Sequence, residues 1–165
     1  MTFSVIPPTL RNYVIPDQVL DDTRSFLHKR GEKGLEGVVL WIGKLVDETT
    51  AAVLGAYVPE QVGRRSELGV SVEVTQAGLS RLISELPEGV FVLIRVHSHP
   101  TDAYHSELDD ENMLISHANA ISIVVPFFAR SPIELERCSV NELHHDAGWV
   151  ELEPAEVRAR FQVIV

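Results

Sequence analysis

Two histidines end an apolar run in the middle of the chain, where residues 91–100 read FVLIRVHSHP. In a strand, alternate residues point to one face, so His97 and His99 would present two imidazoles side by side. Such a pair can chelate a divalent ion, which then needs a third protein ligand and an open position for water. An H-x-H pair alone is weak evidence, because most histidines have structural roles.

The third ligand is expected among the acids that follow, which are Asp102, Glu107, Asp109 and Asp110. If Ser106 caps a helix, Asp109 falls in its first turn, where the chain can fold back toward the histidines. Asp110 would then point about 100° away. Asp102 follows Pro100 by two residues and is expected in a turn. The S-x-x-D arrangement is also an ordinary capping motif, and the two roles can coexist.

A zinc hydrolase also needs a general base, commonly a Glu that does not bind the metal. Glu36 directly precedes the strand-like segment GVVLWIG, whereas the other acids considered stand in looser contexts. These are Glu32, Glu48, Glu60, Glu67 and Glu73. Spacing does not choose among them, and Glu36 is otherwise read as a surface acid at a strand edge.

Together, these residues resemble the signature of the JAMM family, also called JAB or MPN+ metalloproteases, in which an early Glu is followed by H-x-H-P and S-x-x-D. The matching positions are Glu36, then His97, His99 and Pro100, then Ser106 and Asp109. The resemblance covers residues 16–126, and it is what favours Glu36 over its rivals. Five residues separate Pro100 from Ser106, one fewer than is usual in eukaryotic members. The HSELDD segment is similar to bacterial members found beside E1-like and E2-like proteins.

The resemblance implies a Zn²⁺ ion held by His97, His99 and Asp109. It implies that Glu36 takes a proton from the attacking water and that Ser106 hydrogen-bonds the oxyanion. It also implies a ubiquitin-like protein, conjugated through an isopeptide bond to a lysine, as substrate, with E1-like and E2-like proteins as possible partners. Two alternatives stay open: a zinc peptidase that trims a sulfur-carrier protein or small peptide, and a catalytically silent scaffold. The intact motif weakens the second.

Other metal folds with H-x-H fit less well. A barrel hydrolase needs about 250 residues, and this chain has 165. The zinc motif of β-lactamase type, H-x-H-x-D-H, fails because Thr101 stands at its fifth position.

The composition indicates one globular domain over residues 1–165, with 45% hydrophobic and 23% charged residues. A net charge of -10 disfavours nucleic acid as a partner, because such binding depends on Lys and Arg. The lack of a signal peptide and of a long apolar run predicts a cytoplasmic protein without membrane contact. The single cysteine, Cys138, is expected to be a buried packing residue in a strand over residues 133–140.

The elements that would position these residues alternate between strands and helices. We predict an N-terminal hairpin over residues 3–16 and helices over 16–31, 75–89, 106–119 and 154–161. Strands are predicted over 37–43, 51–59, 70–74, 90–98, 120–126, 133–140 and 148–152. The pattern predicts a single α/β domain of the α+β type, with one mixed sheet flanked by two or three helices. The family resemblance implies that this is a JAB/MPN-like domain.

Overall fold

A computed structural model describes residues 3–67, 69–104 and 117–165. The α-helices of these ranges are α1 (Asp17–Glu32), α2 (Gln76–Glu85) and α3 (Pro154–Arg160). The strands are β1 (Asn12–Pro16), β2 (Val38–Leu45), β3 (Thr50–Tyr57), β4 (Gln61–Ser66), β5 (Gly69–Val74), β6 (Phe91–Ser98), β7 (Ile121–Val125), β8 (Ser139–His144), β9 (Gly148–Glu151) and β10 (Phe161–Ile164). The predicted helix over residues 106–119 lies mostly outside the described residues.

Within the described part of the chain, eight strands form one mixed sheet in the order β10-β1-β3-β2-β6-β7-β8-β9, and β4 pairs with β5 in a separate hairpin. β1 is parallel to both of its neighbours, and β6 is parallel to β7. The other neighbours in the large sheet are antiparallel. The predicted α+β class, with one mixed sheet and helices packed around it, is confirmed.

The central strands β2 and β6 bury both faces. Val39 and Trp41 of β2 point into the larger core, which also contains Leu27 of α1 and Val157 of α3. Val38 and Leu40 point the other way and pack on Val72 of β5 and Leu82 of α2. Arg95 and His97 of β6 pair with Leu40 and Val38, so they belong to this second face. β6 is therefore the buried central strand that its apolar sequence predicts.

Helix α1 is tied to the sheet by a buried polar contact. The indole Nε1 of Trp41 donates to Thr23 Oγ1 at 2.8 Å, and that hydroxyl donates to the carbonyl of Val19 at 2.7 Å. Trp41 and Thr23 are both fully buried. The hydrogen bond satisfies the indole while the ring fills the core, which fixes α1 against β2.

A buried ion pair joins α3 to β8. The guanidinium of Arg160 binds the carboxylate of Glu142, and its Nε donates to the carbonyl of Arg11 at 2.8 Å. The other Glu142 oxygen lies 2.9 Å from His144 Nε2. Burial alone raises the pKa of Glu142, but the hydrogen bonds and charges of Arg160 and His144 outweigh it, so this pKa lies below its usual value.

Two sequence predictions are wrong. The N-terminal hairpin does not form, because residues 3–8 are not a strand and β1 pairs with β3 and β10, both distant in sequence. The strand over residues 133–140 begins only at Ser139 and is preceded by a single 3₁₀ turn, Leu135–Arg137. Cys138 therefore lies outside the strand, although it is packed against the core, and burial raises the pKa of its thiol to about 12.

Two strands were not predicted. β4 (Gln61–Ser66) is polar, so its sequence does not indicate a strand. β10 (Phe161–Ile164) follows α3 without a glycine or proline between them. In the described ranges, no helix combines the length and apolar composition that a membrane span requires.

Candidate metal centre

The two histidines of the HSH segment come together at the end of β6. His97 lies in the strand and is fully buried, and His99 follows it with 3% exposure. Their Nε2 atoms are 3.2 Å apart, and their rings meet edge to face with centroids 5.0 Å apart. The alternation of a strand thus brings the rings to one face, as the spacing predicts.

The spacing of these nitrogens fits two ligands of one metal ion. Tetrahedral zinc binds imidazole nitrogen at about 2.0–2.1 Å, which places two such nitrogens about 3.3 Å apart. The 3.2 Å between the Nε2 atoms matches this value. Without metal the same distance permits a hydrogen bond, provided that one ring carries its proton on Nε2. The donor set is therefore suitable for zinc.

The predicted third ligand, Asp109, and the predicted oxyanion donor, Ser106, lie outside the described residues, as do Glu107 and Asp110. Among residues that the structure describes, no three His, Cys, Asp or Glu side chains group together as a metal site. The rival ligand Asp102 is described, is exposed, and belongs to no such group. The identity of the third ligand stays a prediction.

Glu36 is the buried acid among the six candidate general bases, with 6% exposure. The five rivals are all exposed. Val38 pairs with His97, and the Ser98 amide donates to the Gly37 carbonyl at 3.1 Å, so pairing continues beyond the start of β2. The same register, continued by two residues, would place Glu36 opposite His99, where cross-strand neighbours share a face. The role of Glu36 as general base stays a prediction.

Two side chains that the sequence did not single out hold the backbone around Glu36. Ser98 Oγ accepts from the Gly37 amide at 3.0 Å, and Arg30 Nε donates to the Glu36 carbonyl at 3.0 Å. Ser98 is fully buried between the two histidines in sequence. Local sequence patterns contain no signal for either contact, because each joins a side chain to backbone outside its own helix or strand.

The loop after His99 is held by a left-handed turn. Phe127, Phe128 and Ala129 have φ values of 53°, 52° and 54°. The Phe128 amide donates to the His99 carbonyl at 2.8 Å, and the Phe127 amide donates to the Thr101 carbonyl at 2.9 Å. A left-handed residue other than glycine costs about 1–2 kcal/mol, so surrounding contacts must stabilise this turn. Such strain is concentrated at functional sites in proteins.

Helix α1 supplies those contacts. Arg24 donates to the carbonyls of Ala129 at 3.2 Å and Arg130 at 2.6 Å. A Cβ on Gly31 would lie 2.3 Å from the Cβ of Phe128, so only glycine permits the observed approach. The end of α1 therefore packs directly on the turn that holds His99.

Tyr104 and Arg95 are further residues near the centre that the sequence analysis did not assign. The Tyr104 ring packs edge to face on His99 with centroids 4.6 Å apart, and Tyr104 is 55% exposed. Arg95 is buried and lies two residues before His97, on the same face of β6. An exposed aromatic ring thus contacts His99, and a buried arginine shares a strand face with His97.

The sequence relatives and structural neighbours of this chain include two that align with nearly its whole length. No family model matches the chain. "Probable metalloprotease y4jG" of Sinorhizobium fredii is 32% identical over 156 residues, which is 94% of this chain and 95% of the relative. The solution structure of protein DSY2949 from Desulfitobacterium hafniense aligns with a TM-score of 0.56 at 16% identity and covers 92% of each chain. The second likeness shows a shared fold.

Proposed function

Because the chain belongs to the family of the probable metalloprotease y4jG, we propose that it is a zinc-dependent peptidase of the JAMM type that releases a ubiquitin-like protein from a conjugate or precursor. The observation that supports this proposal best is the pair of histidine Nε2 atoms 3.2 Å apart, and a second is the burial of Glu36, two residues before the Val38 that pairs with His97. The resemblance of the motif residues to the JAMM signature supports the finer assignment.

His97, His99 and Asp109 would hold the zinc ion. When bound, the ion supplies Lewis acidity, which makes water acidic near neutral pH and polarises the scissile carbonyl. The carboxylate of Glu36 would accept one proton from water as the oxygen attacks the carbonyl carbon. Glu36 would then deliver that proton to the leaving amine as the C–N bond breaks, so that acid and amine products leave and the carboxylate is restored.

Surrounding residues would keep this proton transfer efficient. Burial of Glu36 excludes competing water, and the hydrogen bond from Arg30 to its carbonyl limits backbone motion. The Ser106 hydroxyl would donate a hydrogen bond to the oxyanion of the tetrahedral intermediate, a contact whose loss can cost about 10²–10³ in rate. The exposed Tyr104 ring would line the entrance for the substrate chain.

The substrate assignment follows from the resemblance to JAMM proteins. Their substrates carry an extended C-terminal tail that ends in an isopeptide or peptide bond. We propose the same class here, with E1-like and E2-like proteins as possible partners of one conjugation system. An extended tail can be bound by strand addition at an exposed strand edge.

The proposal can be tested with purified protein loaded with Zn²⁺. It is incubated with a ubiquitin-like protein joined to a lysine peptide, with a C-terminally extended ubiquitin-like precursor, and with unfolded casein, and the products are identified by mass spectrometry. We expect cleavage after the last residue of the ubiquitin-like protein, loss of cleavage with a chelator, and recovery with zinc. Cleavage of casein alone would support a general peptidase, and zinc binding without any hydrolysis would support a silent scaffold.

A further inference from the structure

Alternate residues of β4 line the segment that leads from α1 to β2 and carries Glu36. Arg65 Nε donates to the Gly34 carbonyl at 3.1 Å, and its Nη2 donates to the Lys33 carbonyl. Gly63 comes next: a Cβ there would lie 2.8 Å from Arg30 Nη2 and 3.1 Å from Leu35 Cδ2. The β4–β5 hairpin, although outside the large sheet, thus packs along the approach to Glu36.

Gln61 completes this arrangement at Val38. The Val38 amide donates to Gln61 Oε1 at 2.7 Å, and Gln61 Nε2 donates to the Val38 carbonyl at 2.9 Å. Both polar groups of one backbone residue are therefore satisfied by one side-chain amide, as a neighbouring strand would satisfy them.

A neighbouring strand cannot do so here because of a proline. β2 and β3 pair Leu40 with Tyr57, and the same register continued by two residues places Pro59 opposite Val38. Proline has no amide hydrogen to donate to the Val38 carbonyl. Gln61 Nε2 supplies that hydrogen and also donates to the Pro59 carbonyl at 2.9 Å. The Gln61 side chain thus replaces the backbone hydrogen bond that is missing at Val38, the first residue of β2.

We propose that Gln61 is a positioning residue for Glu36, an inference that rests on the proposed function. Val38 is two residues from Glu36, so release of its backbone would let the start of β2 fray and would displace the Glu36 carboxylate. The histidines have separate anchors, since the His99 amide donates to the Val125 carbonyl at 2.9 Å and the Phe128 amide holds the His99 carbonyl. Loss of Gln61 should therefore reduce proton transfer while the histidine pair stays in place.

The test compares Gln61→Leu with Gln76→Leu, a matched change at an exposed glutamine at the start of α2. We expect Gln61→Leu to lower kcat about tenfold to a hundredfold, the scale expected for a displacement of about 1 Å. Zinc content should equal that of the parent, and KM should change much less than kcat. Gln76→Leu should leave all three unchanged. An unchanged kcat in Gln61→Leu, or a loss carried by KM, would overturn the proposal.

A double-mutant cycle separates positioning from general destabilisation. If Gln61 acts through Glu36, Gln61→Leu should cause no further loss in the residual rate of Glu36→Gln. An equal loss in both backgrounds contradicts the proposal. Should Gln61→Leu fail to fold, the exposed Arg65→Ala serves in its place, with Arg64→Ala as control, because Arg64 of the same strand faces Glu73 at 3.7 Å instead.

A measurement without substrate distinguishes this inference from the proposed function. In Gln61→Leu, but not in Gln76→Leu, we expect faster hydrogen exchange at the Val38 amide and a shifted NMR resonance of the Glu36 carboxyl carbon. If the parent cleaves nothing yet both changes occur, only the proposed function fails. If the parent is active and the Glu36 resonance does not move, only the role of Gln61 fails.

Discussion

The Ser98 hydroxyl accepts a hydrogen bond from the Gly37 amide at 3.0 Å. This bond joins the residue between the two histidines to the residue that follows Glu36. Backbone next to the proposed base is thus tied to the strand that carries His97, although Glu36 and His97 are 61 positions apart in sequence. Glu36 and a histidine can be substituted separately, and the two substitutions should affect turnover and zinc binding differently.

The variant Glu36→Gln should retain zinc and lose turnover. The amide is nearly isosteric and is not a predicted ligand, but it cannot accept the proton of the attacking water. General-base catalysis contributes about 10²–10⁴ in rate, so kcat should fall by a factor in this range while metal content stays at the parental level. Native mass spectrometry and steady-state kinetics measure the two. A parental kcat would assign the base to another acid.

The variant His99→Ala should lose most of its zinc. Removal of a residue that merely supports a metal ligand already costs about 10–100-fold in affinity, and His99 is predicted to be a ligand itself. Zinc affinity measured by competition with a chelating dye should therefore weaken by more than about a hundredfold. His28→Ala, at the partly exposed His28 of α1, is the matched control and should bind zinc as the parent does.

The free energy of unfolding should depend on pH in the acid range because Glu142 is protonated there. Its pKa is lower in the folded protein than the usual value of 4.5, so the ion pair with Arg160 stabilises the fold fully above that pH. The contribution is lost as pH falls through the folded-state pKa. Above pH about 5, Glu142→Gln should lower the free energy of unfolding by about 3 kcal/mol, because Arg160 is left buried without a counter-charge.

Urea unfolding between neutral and strongly acid pH measures this dependence. The stability difference between parent and Glu142→Gln should shrink as pH decreases, whereas a constant difference would contradict the assignment. Glu136→Gln is the control, because the ion pair of Glu136 with Arg158 is exposed and should affect stability far less.

The variant Gly31→Ala should destabilise the protein by about 1–2 kcal/mol. Alanine favours the helix by up to about 1 kcal/mol, but its Cβ would meet the Phe128 Cβ at 2.3 Å and displace the left-handed turn. The same change should weaken zinc binding, because Phe128 holds the His99 carbonyl. Gly55→Ala, which meets no atom within 4 Å, is the control for thermal unfolding and zinc titration. Equal stability of the two variants would argue against the contact.

Local sequence patterns predicted the features that depend only on residues close together in the chain. The period of a strand places His97 beside His99, and Thr75 caps α2 by accepting from the Gly78 amide at 2.9 Å, as its position before a helical repeat indicates. Glu36 could not be chosen by spacing, because its position relative to His99 depends on the register of β2 and β6. The family resemblance singled it out instead.

The errors have the same physical origin. β1 is held by two parallel neighbours distant in the chain, so its proline-rich surroundings suggested a local hairpin. β4 has few apolar residues because it packs along a loop through Gln61, Gly63 and Arg65. Contacts between side chains and distant backbone leave no periodic trace in a sequence.

Helix α1 contributes no side chain to the proposed chemistry, yet it touches both halves of the centre. Arg30 holds the carbonyl of Glu36, and the next residue, Gly31, packs on the turn that holds His99. Consecutive positions of this helix therefore contact the backbone of the proposed base and the turn that holds His99. If this helix is exchanged for that of a relative, we expect the position of Glu36 relative to the histidines to change with it. The catalytic rate should then resemble that of the relative that supplied the helix, even when every reacting residue is identical.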